Sequence, residues 1–265
     1  MIAIFYFILG AAIGSFGNVL IYRMPLGQSI NFPASHCQSC KTPLKFYHNV
    51  PILSWLFLGG KCAFCKEKIS FQYPLVEILS GVLMVLAFFH ETSNAQISDI
   101  DYMQLLKALI IGVCFIILLC LSAIDFRYKA VPDPLLFTSV AFAIIYSLVP
   151  ALGSYKGFEF NFDGVISAAI FMFAFWLLRF VVSLAMKREA MGSADIFIAG
   201  VMGAILGIKL GLMAIYVAAI LTLPAYMAVR KRGYELPFVP FLSLGLLTVY
   251  VFKANFLEFL EYLYG

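Results

Sequence analysis

Apolar stretches of membrane-spanning length fall near residues 2–22, 73–89, 106–124, 135–152, 164–186, 194–208, 210–229 and 236–254, and they take up most of the 265-residue chain. A helix needs about 20 apolar residues to cross hydrocarbon, where only a helix or a closed barrel satisfies its own backbone polar groups. The expected fold is therefore an all-α polytopic membrane protein with about eight transmembrane helices. The number is six to eight, because 194–208 and 210–229 are separated only by Lys209 and form either a tight hairpin or one broken helix. With 63% hydrophobic and 12% charged residues, a soluble domain of this size is excluded. No basic residue precedes the first apolar core, which favours a retained anchor over a cleaved signal peptide, although Ala11-Ala12 and Gly14-Ser15 leave cleavage open.

Basic residues near span ends collect on the cytoplasmic side. The loop from 23 to 70 carries Arg23, Lys41, Lys45, Lys61, Lys66 and Lys68 against the single acid Glu67, so it is expected in the cytoplasm. Alternation then puts Arg127 and Lys129, Lys187 and Arg188, and Arg230 to Arg232 on the same side. Glu91, Asp99 and Asp101 fall opposite. Basic loops of this kind account for the net charge of +4, and no nucleic-acid partner is implied. The abundant Phe and Tyr are expected in lipid contact and at the interfaces.

That same loop holds two Cys-x-x-Cys pairs, Cys37 with Cys40 and Cys62 with Cys65. Two such pairs separated by roughly twenty residues fit a tetrahedral Zn²⁺ site, since each turn offers two soft ligands to one ion. Two disulfides or four reduced thiols are the alternatives, and a reducing cytoplasm weighs against the disulfides. His36 and His48 flank the pairs, but four cysteines already complete a tetrahedron. Cys114 and Cys120 lie inside an apolar stretch and are expected to behave as small apolar side chains.

Two aspartates stand at the expected cytoplasmic ends of apolar stretches: Asp125 closes the third and Asp195 opens the sixth. Acids in such places are costly to desolvate and are candidates for function. Brought together, two carboxylates share a proton; one serves as base toward water and the other as acid toward a scissile carbonyl. On spacing alone, two interfacial acids facing water remain the alternative.

Several further motifs stand in order along the chain. They are Gly14-Ser15-Phe16-Gly17-Asn18 running to Arg23, Asn49-Val50-Pro51-Ile52-Leu53-Ser54-Trp55-Leu56 between the cysteine pairs, and Ile69-Ser70-Phe71-Gln72-Tyr73-Pro74-Leu75-Val76-Glu77. Asp125, Val131-Pro132-Asp133, a Gly-x-Gly-Asp-like element ending in Asp195, and Pro237-Phe238-Val239-Pro240-Phe241 follow. In this set and order the sequence resembles the type IV prepilin leader peptidase and N-methyltransferase family, membrane aspartic proteases of the Gly-x-Gly-Asp type.

The resemblance implies an enzyme of the bacterial inner membrane with its active site at the cytoplasmic face. It would cut the basic leader from prepilins or pseudopilins after a glycine, then methylate the new N-terminal amine with S-adenosylmethionine. The two catalytic aspartates carry over to Asp125 and Asp195, and Asp133, between two prolines, reads as a turn or helix-start residue. The family's second glycine is replaced by Ala194, which is tolerable at a helix start with negative φ. No glycine-rich nucleotide-binding unit occurs, so the cofactor site is expected in the cysteine loop and adjoining helix ends, near Asn49, Trp55 and Lys61. Glu77 is the candidate there for the cofactor or the new amine, the alternative being an ion pair with Lys68. Arg179 is expected to snorkel or to pair with an acid. The resulting division is a membrane anchor over 1–89 carrying the loop 23–70, and a peptidase region over 106–254.

Other classes predict differently. A transporter would place its acids near the bilayer midplane on broken helices. A scaffold docking partners through the cysteine loop, or an inactive homologue disabled at Ala194, would not depend on the two aspartates.

Overall fold

The computed structural model describes residues 1–93, 101–149, 162–187, 192–229 and 236–264. Its long elements are helices α1 (Ile2–Arg23), α3 (Gln72–Thr92), α4 (Tyr102–Tyr128), α5 (Asp133–Leu148), α6 (Asp163–Met186), α7 (Ser193–Val229), α8 (Val239–Val251) and α9 (Lys253–Tyr264). A short α2 (Leu53–Phe57) lies in the cysteine loop between α1 and α3. Among the described residues no strand forms, and only two isolated antiparallel bridges occur.

Five of these helices, α1, α3, α4, α6 and α7, are long and apolar enough to cross a membrane, or six if α8 and α9, bent by 84°, make one broken span. Six lies at the lower end of the expected six to eight, and the difference from eight arises at two stretches. The stretch 135–152 yields a helix of only 16 residues. The stretches 194–208 and 210–229 fall inside one 37-residue element, α7, interrupted at Gly207 with φ 71 and ψ −173. That backbone conformation is open to glycine and closed to other residues at small cost. The chain reverses there: Gly200 packs on Met172 and Gly211 on Phe171, so residues on both sides of Gly207 meet neighbouring positions of α6.

Packing between α1 and α3 rests on small residues. A side chain at Gly10 or Gly14 would press into Ser80, the first on its carbonyl and the second 2.5 Å from its hydroxyl oxygen. Gly10-x-x-x-Gly14 is thus a small-residue contact of the kind that lets membrane helices touch backbone to backbone. Gly14→Val is expected to force α3 away from α1 and to lower stability by about 1–3 kcal/mol, the usual cost of overpacking. A thermal melt in detergent measures it.

The hub is α4, which packs on α1, α3, α5 and α8. Ile111, Leu121 and Ile124 on it are wholly shielded, and so are Cys114 and Cys120, in keeping with their expected role as small apolar core residues. Both α5 and α8 touch α4 on one side and α7 on the other. Peripheral α6 turns Phe173, Trp176 and Phe180 outward, their rings stacked 5.9 Å apart, as suits a lipid face.

A polar cluster closes the bundle at the end away from the cysteine loop. Glu91 of α3 accepts hydrogen bonds from the hydroxyls of Tyr146 in α5, at 2.8 Å, and Tyr250 in α8, at 2.7 Å. The His90 ring lies against that of Tyr250, 3.9 Å between centroids, and the Lys107 ammonium sits over Tyr146. Both tyrosines therefore clasp helices together, where interface anchoring was expected. Glu91→Ala would leave two hydroxyls without acceptors, at about 1–3 kcal/mol each. A melting temperature several degrees below wild type is the expected result, and an unchanged melt would contradict this role.

Candidate active site and metal centre

The candidate site is built from the ends of α4, α5, α7 and α8. The C-terminus of α4 carries Asp125, and the chain turns at Lys129 in a left-handed conformation that returns its N–H to the Asp125 carbonyl. Helix α5 then starts at Asp133 between Pro132 and Pro134, so this acid is a helix-start residue as its flanking prolines require. The N-terminus of α7 carries Asp195, and α8 begins at Val239.

Asp125 and Asp195 are buried, 8% and 6% exposed. Asp125 accepts a hydrogen bond at 3.2 Å from the Val239 backbone N–H, across 114 residues of sequence. Asp195 accepts one from the Gly192 N–H and lies within the field of Asp125 and of the Arg179 guanidinium. Two buried carboxylates in each other's field hold one proton between them more readily than two negative charges. Such a pair can offer one proton donor and one proton acceptor. Ala194 is helical and buried and does not take positive φ, so its methyl group meets the condition set for replacing glycine.

In the sequence, Pro237 to Phe241 stands out only through the family resemblance. In the structure this element supplies the N–H that fixes Asp125. Proline at Pro240, in the first turn of α8, suits a helix start whose free N–H groups face outward toward an acceptor.

The cysteine loop folds as two matching turns. Cys37 N–H bonds to Thr42 O and Lys41 N–H to Cys37 O, while Cys62 N–H bonds to Glu67 O and Lys66 N–H to Cys62 O. Lys41 and Lys66, each directly after a second cysteine, both take positive φ, 58 and 62. All four Sγ atoms lie within 4.8 Å of one another, and Cys37 and Cys65 are 3.7 Å apart. A tetrahedron with Zn–S of about 2.3 Å has sulfurs about 3.8 Å apart. The four cysteines are free of disulfides and could hold a metal ion. The Thr42 hydroxyl and N–H bring Cys40 down to about 6. Against the Glu67 N–H, which works to lower it, burial and the neighbouring thiols push Cys65 up to about 11. Such a packed thiol set favours a cation over four negative charges.

Glu77, 7% exposed, forms no ion pair with Lys68 among the described residues; its Oε2 accepts the Ile52 N–H at 2.7 Å and it is also bonded by the Ser15 hydroxyl. It thereby joins α1, the cysteine loop and α3. A cavity of 700 Å³ opens beside it.

Residues 8–91 match the family model described as the bacterial Peptidase A24 N-terminal domain, and 112–227 match the type IV leader peptidase family. Among curated relatives, a type 4 prepilin-like proteins leader peptide-processing enzyme of Escherichia coli is 30% identical over 263 residues, 91% of each chain. A prepilin leader peptidase/N-methyltransferase of Klebsiella pneumoniae is 33% identical over 213 residues, 77% of this chain and 84% of that one. One of the same description from Myxococcus xanthus is 32% identical over 208 residues, 78% of this chain and 56% of that one. No solved structure matches. Domain models that together run from residue 8 to residue 227, and relatives sharing about a third of their residues over most of their length, place the chain in the type IV leader peptidase family.

Proposed function

We propose that this protein removes the leader from type IV prepilins or pseudopilins and then N-methylates the new terminus, with Asp125 and Asp195 as the proteolytic pair. The observation that carries the peptidase reading is the burial of both carboxylates at one end of the bundle, each in the other's field. The prepilin lies in the bilayer as an apolar helix with its charged leader beside the basic loop residues. Its cleavage site must unwind at the membrane boundary, since a hydrogen-bonded helix hides the scissile carbonyl. One aspartate takes a proton from water while the other, protonated, donates to the carbonyl oxygen. Arg179 and the Gly192 N–H hold Asp195 in place, and the Val239 N–H holds Asp125.

The division of labour follows the chain: residues 1–89 form an anchor and loop region, and 106–254 the peptidase. In the loop, Cys37, Cys40, Cys62 and Cys65 would bind a structural Zn²⁺, which keeps the two turns together. S-adenosylmethionine would supply the methyl group, with Glu77 on the wall of its site. The positive-inside pattern supports a cytoplasmic position for this end of the bundle, and membership of the family supports an inner-membrane location.

The test is incubation of the purified full chain in lipid nanodiscs with a prepilin, followed by sequencing of the released peptide. A leader ending in glycine is expected. An intact prepilin, when a related enzyme cuts the same preparation, would remove the reading.

A further inference from the structure

Helix α2 turns its apolar side outward. Leu53, Leu56 and Phe57, three and four residues apart and so on one face, are exposed, Phe57 at 86%. The rest of α2 is pinned in place. Ile52, just before it, is held at φ 63 with its N–H on Glu77 of α3, a costly backbone that persists only where the surroundings impose it. Trp55 lies edge-on to Phe71, 5.7 Å between centroids, and its indole N–H donates to the Ile69 carbonyl at 3.3 Å. Gly60 fits against that indole, where a Cβ would come within 2.8 Å of it. Phe71 in turn opens a stripe of exposed apolar residues down α3, continued by Leu75, Leu79 and Val82. That spacing marks one face of a helix, and on a helix of membrane-spanning length an outward apolar face meets lipid. The exposed side of α2 therefore sits where the lipid face of α3 begins, at the membrane boundary.

Two like charges stand beside it. Lys61 and Lys68 face one another across an isolated antiparallel bridge. The flanking bonds run from Cys62 N–H to Glu67 O and from Ile69 N–H to Gly60 O. The lysines are thus a non-hydrogen-bonded pair, the kind whose side chains lie closer together. Both strands of the bridge touch Trp55, through Gly60 and Ile69, which puts the pair next to α2. Like charges directly opposite are destabilising, and among the described residues no carboxylate forms an ion pair with either lysine. Both are exposed, and although Lys68 borders the cavity beside Glu77, Lys61 lies outside its lining. An anion at the surface between the two ammonium groups would offset their repulsion. Residues 24–71 hold five lysines and one acid, Glu67, so the loop as a whole attracts an anionic surface.

We propose that this face of the cysteine loop binds an anionic phospholipid of the adjoining leaflet, with its phosphate between Lys61 and Lys68 and its acyl chains along Phe57 and the α3 stripe. An apolar side next to a basic one is the arrangement of a segment that lies in the membrane interface. The inference is independent of the peptidase and methyl-transfer readings.

The test is lipid retention by the full-length protein released from detergent in native mass spectrometry, with phosphatidylglycerol and phosphatidylcholine as probes. Wild type is expected to keep phosphatidylglycerol in preference. The Lys61→Gln/Lys68→Gln protein should lose about tenfold or more of that retention, since each lysine near a lipid surface is worth roughly a fivefold change. A Lys41→Gln/Lys45→Gln protein removes the same charge from the same loop outside the pair, and should lose less than about threefold. In lipid nanodiscs, a Trp176→Phe protein keeps Trp55 as its one tryptophan, and bromine near the lipid headgroups should quench it more than bromine at the chain ends. That measurement needs no loop variant to fold. Equal losses in the two lysine pairs, an unquenched Trp55, or wild type that keeps both lipids alike would overturn the site. Displacement of phosphatidylglycerol by millimolar inorganic phosphate would make it a site for free phosphate and overturn the lipid assignment. So would unchanged lipid retention by the Lys61→Gln/Lys68→Gln protein with loss of a Glu-rich peptide that wild type binds, which would give the lysines an acidic protein as partner.

Discussion

Asp195→Asn and Asp125→Asn are each expected to stop leader removal, lowering the single-turnover rate by about 10⁴-fold, the upper end of what a positioned acid or base supplies. Asparagine keeps the shape and the ability to accept from the Gly192 or Val239 N–H, so the local hydrogen bonds survive. What it removes is the capacity to take or give a proton. Neither variant should melt below wild type. Each replaces one of two buried acids that repel one another, and relieving such a site commonly stabilises a protein at the expense of activity. An inactive variant with an unchanged or higher melting temperature separates chemistry from folding. Cleavage within tenfold of wild type by either variant would take that aspartate out of the mechanism.

Cys62→Ser is expected to produce the second large effect. Wild type should carry one Zn²⁺ per chain, and the variant, with a hydroxyl in place of a buried thiolate, should carry almost none. Structural zinc sites contribute about 10–16 kcal/mol of apparent binding free energy, which becomes folding free energy of the segment they close. Without the ion the turns at Cys37 and Cys62 lose their common tie, and the Ile52 N–H leaves Glu77. Limited proteolysis should then cut within residues 24–71 while the helices stay resistant. Metal-free wild type resistant to proteolysis, or a variant retaining a full equivalent of zinc, would contradict the role assigned to the cysteines.

The features legible in the sequence are those with local signals. Apolar length declared the helices, paired cysteines declared a turn that gathers thiols, and acids at the ends of apolar stretches marked Asp125 and Asp195 as candidates, which the structure buries. What stayed hidden depends on contacts between distant segments. Nothing near Val239 announces that its N–H meets Asp125, since a backbone donor has no sequence signature beyond a helix start. Ile52 reads as an ordinary apolar residue, and its left-handed backbone is imposed by the loop around it. Tyr146 and Tyr250 look like interface anchors in any membrane chain; only the partner Glu91, which three helices bring to them, makes them a clasp. Gly207 was one of nineteen glycines, and its reversal needed the packing of α6 to be recognised. Gly10 and Gly14 carried a readable spacing that composition alone concealed.

Intact-mass analysis of a prepilin incubated with the full-length protein, with and without S-adenosylmethionine, tests the central claim most directly. The account predicts loss of the leader after glycine in both arms, and one added methyl on the new terminus only where the donor is present. A substrate left whole in both arms, from folded protein and a prepilin that a related enzyme processes, would contradict it.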